Sequence, residues 1–393
     1  MERHEDHPTA PLRKRESSVA KCARGAQRAA RIVRGQDCRE RIVLVQRAAA
    51  GKPAARFRTL LTGWLPCALC LGLALAATGC GEILDAGESH GKLVDVDVDQ
   101  RNPVIIDNDG WSDNWLGEYT VLSSNSGGPP LVGIVIGASK YWSDLDANVA
   151  GWTDFVTTAR DSGLKNVPDV SAGTSGPLSV PADQQIDSTV PPRSAGAQKI
   201  VDLSRQLYSA GRPVVVLAGG ALTNLADAYL MDHTVVDRVV VVADLGMYDE
   251  PKATMTGPNG DLDPWADWIV AQRFHYVQLS LPYEQAGDVT TDDFGNLPTN
   301  KLGDWMASKQ PKLSKLDTAA DQVTILAVGL PGFVAAVQQS APDISAGFNS
   351  PPGQGPPLLP SDTGKAWVVT EIDTSVGRPW LWKMLQAPGT FGS

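Results

Sequence analysis

Short apolar runs alternate with helical patterns along the chain from Pro103 onward. The runs VVVLA and VVVVA are continuously apolar, which is typical of strands that are covered on both faces. Strands that alternate with helices in this way predict an α/β fold, with a mostly parallel open sheet flanked by helices. The predicted strands are Val104–Asp107, Leu131–Ile136, Val214–Ala218, Val239–Val242 and Tyr276–Leu281. The predicted helices are Asn114–Leu122, Ala147–Ala159, Gly196–Ala210, Leu222–Tyr229 and Pro264–Gln272, with others near Gly303–Ser308 and Ala319–Val328.

The pattern before Pro103 is different. Leu60–Gly79 is apolar and uncharged, follows a basic stretch, and ends in small residues directly before Cys80. This succession resembles a bacterial lipoprotein signal, in which the cysteine is lipidated and becomes the first residue of the mature chain. A transmembrane anchor is the alternative, because twenty apolar residues can span a bilayer. We expect a membrane-anchored lipoprotein of the cell envelope, facing the periplasm or the exterior.

Charge divides the chain at the same place. Residues 1–58 contain fifteen Lys and Arg against six Asp and Glu, whereas the whole chain has a net charge of −10. The acidic remainder argues against a nucleic-acid partner. All five cysteines lie at or before Cys80, which predicts a folded domain without disulfides or thiolate metal sites. The predicted organisation is a basic segment (1–59), a signal or anchor (60–80), a linker (81–102) and one α/β domain (103–393).

Carboxylates crowd the turn after the first predicted strand. The sequence VIIDNDGWSDNW places Asp107, Asp109 and Asp113 within seven residues. The carboxyl ends of parallel strands form the crevice in which open α/β sheets bind ligands, and clustered carboxylates suit Ca²⁺ or Mg²⁺. The alternative is that these aspartates only form the turn and cap the next helix.

Three segments, taken in order, resemble one family. VIIDNDGWSDNW is similar to the N-terminal strand and acidic turn of the calcium-dependent, inosine–uridine-preferring nucleoside hydrolases. LAGGALTNLADA (Leu217–Ala228) and NGDLDPWADWIV (Asn259–Val270) resemble two later segments of that family, and VPDVSAGTSGPL (Val167–Leu178), which precedes them, resembles a connection of the same family. The resemblance implies a nucleoside-hydrolase-like α/β fold.

The resemblance also assigns roles to the residues of the predicted metal site. Asp109 would be both a metal ligand and the general base, and the backbone carbonyl of Thr223 would be a second metal ligand. Asn114 stands where the family has a metal-binding aspartate, although an amide oxygen can still coordinate calcium. We take Asp321 as the late metal ligand; an ordinary aspartate at a helix N-terminus is the alternative. The implied cofactor is Ca²⁺.

Three further residues are assigned to the substrate. The resemblance implies that Asp113 binds ribose hydroxyls and that Asn259 binds the outer hydroxyls of the sugar. Trp111 lies within the acidic turn, where its ring could stack on a nucleobase or a sugar. The expected ligand is therefore a small-molecule nucleoside or sugar.

The implied activity is metal-assisted hydrolysis of a ribosyl N-glycosidic bond. Two departures weaken the match, because Asn114 replaces an aspartate and Gly257 stands where the family has a glutamate. The alternatives are a non-catalytic sugar or nucleoside binding module on the same fold and a hydrolase of another glycosidic bond.

The predicted processing site can be tested directly. Expressed in a bacterium, the protein should partition with membranes as a lipid-modified chain that begins at Cys80, and Cys80→Ser should remain unprocessed. Mass spectrometry of the mature N-terminus measures this. An intact Leu60–Gly79 segment in the mature wild-type protein would instead support a transmembrane anchor.

Overall fold

A mostly parallel sheet of nine strands organises the described part of the chain. The computed structural model describes residues 98–110, 128–209, 212–247, 259–279, 299–309, 321–349, 353–377 and 379–380. They lie in one compact unit, Ala86–Ser393. The strands are β1 (Val104–Asn108), β2 (Leu131–Ile136), β3 (Val170–Ala172), β4 (Val214–Ala218), β5 (Val239–Asp244), β6 (His275–Leu279), β7 (Val334–Pro342), β8 (Leu358–Pro360) and β9 (Ala366–Ile372).

The strand order is β3-β2-β1-β4-β5-β6-β9-β7-β8. Every pair from β3 to β9 is parallel, whereas β7 pairs antiparallel with both β9 and β8. The predicted fold class is therefore confirmed. All five predicted strands are present, but β3, β7, β8 and β9 were not predicted. The sequence PPGQGPPLLP resembles an irregular loop, yet its last residues form β8.

The described helices are α1 (Leu145–Asp161), α2 (Ala195–Leu207), α3 (Thr223–Met231), α4 (Pro264–Arg273), α5 (Lys301–Lys309) and α6 (Gln322–Gly329). Side-chain caps fix several of their starts. Asp144, Ser194 and Asp263 each accept a hydrogen bond from a backbone N–H in the first turn of α1, α2 and α4. The predicted helix Asn114–Leu122 lies outside the described residues.

Helices cover both faces of the sheet, as the continuous apolar strands predict. Ile106 of β1 joins an apolar cluster that includes Trp152 of α1, Met306 of α5 and Leu326 of α6. Ile105, the adjacent residue, joins a second cluster on the opposite face, with side chains from α2, α3 and α4. Among the described helices, none is long and apolar enough to cross a bilayer. The segment Leu60–Gly79 lies outside the described residues.

The strand order reverses between β1 and β4. The chain runs from β1 outward to β3, and then returns to pair β4 with the other side of β1. A reversal of this kind opens a crevice at the carboxyl ends of the two strands, where open α/β sheets bind ligands. The residues that follow β1 and β4 are therefore the candidates for a ligand-binding site.

Asp227 of α3 secures the chain before α2. Its buried carboxylate accepts hydrogen bonds from the backbone N–H groups of Arg193 (2.9 Å) and Ser194 (2.8 Å), and from the Ser194 hydroxyl (2.9 Å). Arg193 has a φ of +60°, in the left-handed region that side-chain-bearing residues seldom adopt. The three hydrogen bonds hold this conformation.

We expect Asp227→Ala to lower the free energy of unfolding by about 1–2 kcal/mol, because the substitution leaves two partly buried backbone N–H groups without their acceptor. Asp227→Asn should lose less, since its amide oxygen can still accept one bond. Urea denaturation measures both. Asp202→Ala, at an exposed position of α2, is the control and should change stability by no more than about 0.5 kcal/mol. Equal stabilities of Asp227→Ala and the wild type would contradict the expectation.

Candidate active site

Buried carboxylates from separate parts of the chain meet at the reversal point. Asp109 follows β1 directly, Asp244 is the last residue of β5, and Asp321 immediately precedes α6. All three are buried. Two of the predicted site residues, Asp109 and Asp321, thus lie at the same edge of the sheet although they are far apart in sequence.

Asn108 connects these two aspartates. Its side-chain amide nitrogen donates to Oδ2 of Asp321 at 2.7 Å, and its amide oxygen accepts from the backbone N–H of Asp109 at 2.7 Å. The side chain of Asp321 makes no capping hydrogen bond to α6, as an ordinary helix-terminal aspartate would. It faces the carboxylate cluster instead, and this favours the ligand interpretation of Asp321.

Burial strongly affects the acidity of these groups. Burial raises the pKa of Asp109, although hydrogen bonds from the Ser139 hydroxyl and the Gly110 N–H oppose the shift. Burial also raises the pKa of Asp321 well above its usual range, and the neighbouring charge of Asp244 raises it further. No described lysine or arginine is among the groups that act on these two carboxyls. A bound cation would stabilise their charged forms.

Two glycines after β4 make the close approach possible. A Cβ atom on Gly219 would overlap the carboxylate of Asp321, and one on Gly220 would lie 3.0 Å from Cγ of Asp109. A cavity of about 10 Å³, room for about one water-sized sphere, adjoins Gly219, Asn108 and Asp321. Because Gly219 and Gly220 have no side chains, the carboxylates can pack directly against the backbone that follows β4.

Asp107 supports the site from beneath. Its Oδ1 accepts a hydrogen bond from the side chain of Asn224 at 2.7 Å, and Asn224 in turn accepts from the backbone N–H of Thr174 at 2.7 Å. Its Oδ2 is buried and has no hydrogen-bond partner among the described residues. Burial raises the pKa of Asp107 to about 7; the Asn224 bond lowers it and the charge of Asp109 raises it.

Asn259 bridges the ends of β4 and β5. Its amide nitrogen donates to the carbonyl oxygens of Gly219 and Asp244, each at 3.0 Å. These two bonds use both amide hydrogens, so the amide oxygen is the atom that is left to bind a sugar hydroxyl. Asn259 is half-buried at the cluster. Its predicted contact with substrate stays a prediction.

Thr223 has a different setting from the one we expected. It is the first residue of α3, and its hydroxyl donates to Asp263 at 2.9 Å. Asp263 also accepts from the backbone of Leu178 (2.8 Å) and caps α4, so this pair joins three segments of the fold. The backbone that touches the carboxylates of Asp109 and Asp321 belongs to Gly219 and Gly220. The Thr223 carbonyl as a ligand remains a prediction.

The remaining predicted residues, Trp111, Asp113 and Asn114, lie outside the described residues. Within the described ranges, no three His, Cys, Asp or Glu side chains are arranged to hold a metal ion. The donor chemistry of Asp109 and Asp321 nevertheless suits a hard cation, because every polar side-chain atom offered to it is an oxygen. A complete ligand set would need residues beyond these two.

Several contributors to the site were not predicted from the sequence. Asp244 ends the apolar run VVVVAD, so it follows a buried strand in the same way as Asp107 and Asp109 at the end of β1, and that position was a usable signal. Asn224 belongs to the LTN element of a recognised segment. Asn108 and Ser139 have no signal of their own in the sequence, because their roles arise from contacts between strands.

The fold is that of nucleoside hydrolases. Neither a protein-family model nor a curated protein matches the sequence. Among solved structures, an inosine–guanosine nucleoside hydrolase superposes with a TM-score of 0.54 at 14% identity, covering 73% of this chain and 98% of that one. A plant nucleoside hydrolase gives 0.51 at 17% identity, with 73% and 99% covered. The inosine–uridine-preferring enzyme of Bacillus anthracis gives 0.51 at 12% identity, with 72% and 99% covered.

The raised pKa of Asp107 predicts a pH dependence of stability. Its pKa is about 7 in the folded protein and 3.8 in an ordinary environment, so the folded state retains a proton that the unfolded state releases. This contribution to stability is complete below pH 3.8 and is lost as the pH rises through 7. In chelator, the wild type should therefore lose more stability between pH 4 and pH 8 than Asp107→Asn does.

Urea denaturation at several pH values measures the difference. Asp343→Asn is the control, because Asp343 lies far from the site and the hydrogen bonds that it accepts from Ser345 lower its pKa, so it should add no slope above pH 4. Parallel stability curves for the wild type and Asp107→Asn would show that Asp107 is ionised throughout.

Proposed function

We propose that this protein is a divergent nucleoside hydrolase, which cleaves a ribosyl N-glycosidic bond with the help of a bound calcium ion. The observation that carries the proposal is the convergence of Asp321 beside Gly219 and of Asp109 beside Gly220, at the reversal point of a sheet with the nucleoside-hydrolase fold. Fold alone does not specify a reaction. The carboxylate cluster supplies the chemistry that this reaction requires.

The reaction needs a base and a site that tolerates positive charge. Cleavage of a glycosidic bond passes through an oxocarbenium-like state, and water attacks the sugar carbon. Asp109 is the proposed base: it takes one proton from the attacking water while the bond to the leaving group breaks. A bound cation would keep the Asp109 carboxylate in the charged form that can accept this proton.

Asp109, Asp321, Asn114 and the backbone carbonyl of Thr223 would hold the calcium ion. When bound, such an ion lowers the pKa of a coordinated water and orients the ribose hydroxyls. Ser139 and Gly110 orient the Asp109 carboxylate by donating hydrogen bonds to it, and Asn108 fixes Asp321. Asn259 would offer its amide oxygen to the sugar, and Asp113 would bind the ribose hydroxyls.

A binding module is the second candidate. Asn114 and Gly257 stand where the resembled family has acidic residues, so this chain lacks two charges of the family pattern. Without these two acidic groups, turnover would be weakened more than ligand binding, because the contacts around Asp109 are still present.

We also propose that the protein is held in the cell envelope by a lipid on Cys80.

Asp109→Asn should lower kcat for ribonucleoside hydrolysis by about 10²–10⁴-fold, the typical loss when a general base is removed. Calorimetry should show that chelator-treated wild-type protein binds calcium and that Asp321→Asn binds it more weakly. Activity should disappear in chelator and return with calcium. Release of the base from purine and pyrimidine ribonucleosides is the assay.

Asp202→Asn is the matched control, because this exposed carboxylate lies on α2, away from the carboxylate cluster, and accepts a hydrogen bond from the side chain of Gln198. It should retain wild-type activity. If calorimetry detected no binding when millimolar calcium is titrated into the folded protein, the metal-assisted reaction would be rejected. Nucleoside binding without turnover would instead identify a binding module.

A further inference from the structure

A second group of carboxylates lies at the start of α4. Asp261 belongs to the 3₁₀ turn Asn259–Leu262, and Asp267 is the fourth residue of α4. Asp263, between them, caps α4 and accepts a hydrogen bond from Thr223. Asp267 is only 1% exposed, and the charges of Asp261 and Asp263 act on its pKa, whereas none of the active-site carboxylates does. Asp267 is therefore buried in a negative environment of its own.

One oxygen of Asp267 has no hydrogen-bond partner. Its Oδ1 is buried, and no group donates a hydrogen bond to it within the part of the chain that the structure describes. Burial raises the pKa of Asp267 well above its usual range, and the charges of Asp261 and Asp263 raise it further. No described lysine or arginine is among the groups that act on this carboxyl. A buried carboxyl in this setting needs a proton or a cation to offset its charge.

The carbonyl oxygen of Gly246 faces the same space as Oδ1 of Asp267. A Cβ atom on Gly260 would lie 2.1 Å from that carbonyl oxygen and 2.8 Å from Oδ1, so a glycine keeps this space free of a side chain. The two oxygens are therefore within about 5 Å of each other, which one calcium ion can bridge because it binds oxygen at about 2.3–2.6 Å. The carbonyl also accepts from the Gly260 N–H at 2.8 Å, and its second lone pair remains. Asp261 directly follows Gly260.

The connection between β7 and β8, which the structure describes over residues 343–349 and 353–357, covers the other oxygen of Asp267. A Cβ atom on Gly355 would overlap Oδ2, so the backbone of the connection rests directly on the carboxyl group. Earlier in the connection, the ring of Phe348 packs against the rings of Trp265 and Trp268 of α4, with centroid separations of 4.6 and 5.9 Å. The connection is therefore held to α4 at an aromatic contact and at Asp267.

We infer that Asp261, Asp267 and the Gly246 carbonyl form a calcium site that fastens the β7–β8 connection to α4. The ion offsets the buried charge and fixes the carboxyl group against which Gly355 packs. It is separate from the ion proposed at Asp109 and contacts no substrate. The donors are all oxygens, which excludes a preference for zinc. Calcium accepts irregular mixtures of carboxylate, carbonyl and water ligands, whereas magnesium requires near-octahedral geometry, so calcium is the better fit.

The number of calcium ions bound per chain tests the inference. The chelator-treated full chain is titrated with calcium alone by calorimetry, and the bound metal is counted after equilibrium dialysis. Asp267→Asn keeps the shape of the side chain and removes its charge, so it should lose one calcium ion per chain. Asp261→Asn should weaken the same binding event, whereas Asp321→Asn should leave it unchanged.

Asp304→Asn is the matched control. Asp304 is an exposed carboxylate in the first turn of α5, a helix that packs on the opposite face of the sheet from α4. Its substitution should leave the calcium count at the wild-type value.

Two results would overturn the inference, once circular dichroism has shown that the variants are folded. The first is a calcium count that Asp267→Asn and Asp261→Asn both leave at the wild-type value; if Asp267→Asn does not fold, Asp261→Asn decides alone. The second is a proton in place of the ion. In that case the wild type would bind no calcium that Asp267→Asn lacks, and its stability would fall with rising pH in a way that Asp267→Asn removes.

This test is independent of the proposed function. Loss of one ion in Asp267→Asn and not in Asp321→Asn would support the site even in a protein that hydrolyses no nucleoside. Loss of an ion in Asp321→Asn alone would reject this site and retain the ion at the candidate active site.

Discussion

Like charges cannot be buried together without compensation, and the carboxyl edge of this sheet buries Asp107, Asp109, Asp244 and Asp321. Amide side chains provide part of the compensation. Asn224 binds Asp107, and Asn108 binds Asp321 while it also holds the backbone of Asp109. Raised pKa values accommodate the rest, since a protonated carboxyl avoids the cost of a buried charge. Under the proposed function the same groups would bind a cation once their protons leave, and the electrostatic cost of burying them together would then favour metal binding.

Small residues and large aromatic rings define the shape of the site. Gly219 and Gly220 let the carboxylates approach the backbone after β4, and Gly110 accepts the ring of Trp142 where β1 ends. At each of these glycines, a side chain from another part of the chain occupies the space that a Cβ atom would need. The backbone at the reversal point therefore serves as one wall of the site, and side chains from loops form the others.

Local sequence patterns predicted the parts of this fold that depend on local physics. Apolar runs identified β1, β2, β4 and β5, because a strand covered on both faces is mostly apolar. The strand β6 was also predicted, although the buried Gln278 interrupts its apolar pattern. The strands β3 and β8 have only three residues each, too few for a pattern, and β7 is partly exposed along its length. Asp109 and Asp321 lie at the same edge of the sheet, and their role as metal ligands stays a prediction. Asn108 donates to Asp321, which is 213 positions away in the sequence. Such a contact has no local signature.

The two borders of the sheet have a consequence for self-association. The described sheet ends on β3 at one side and on β8 at the other, each three residues long. An exposed strand edge is a template on which another chain can add a strand, and its hazard grows with the number of free backbone groups. Pro360 removes one N–H from β8, but β8 pairs only with Ser340, Ala341 and Pro342, so the rest of β7 has a strand partner on one side alone among the described residues. The longest border without a strand partner in the described sheet is therefore that of β7, where an added strand would find the most backbone groups to pair with.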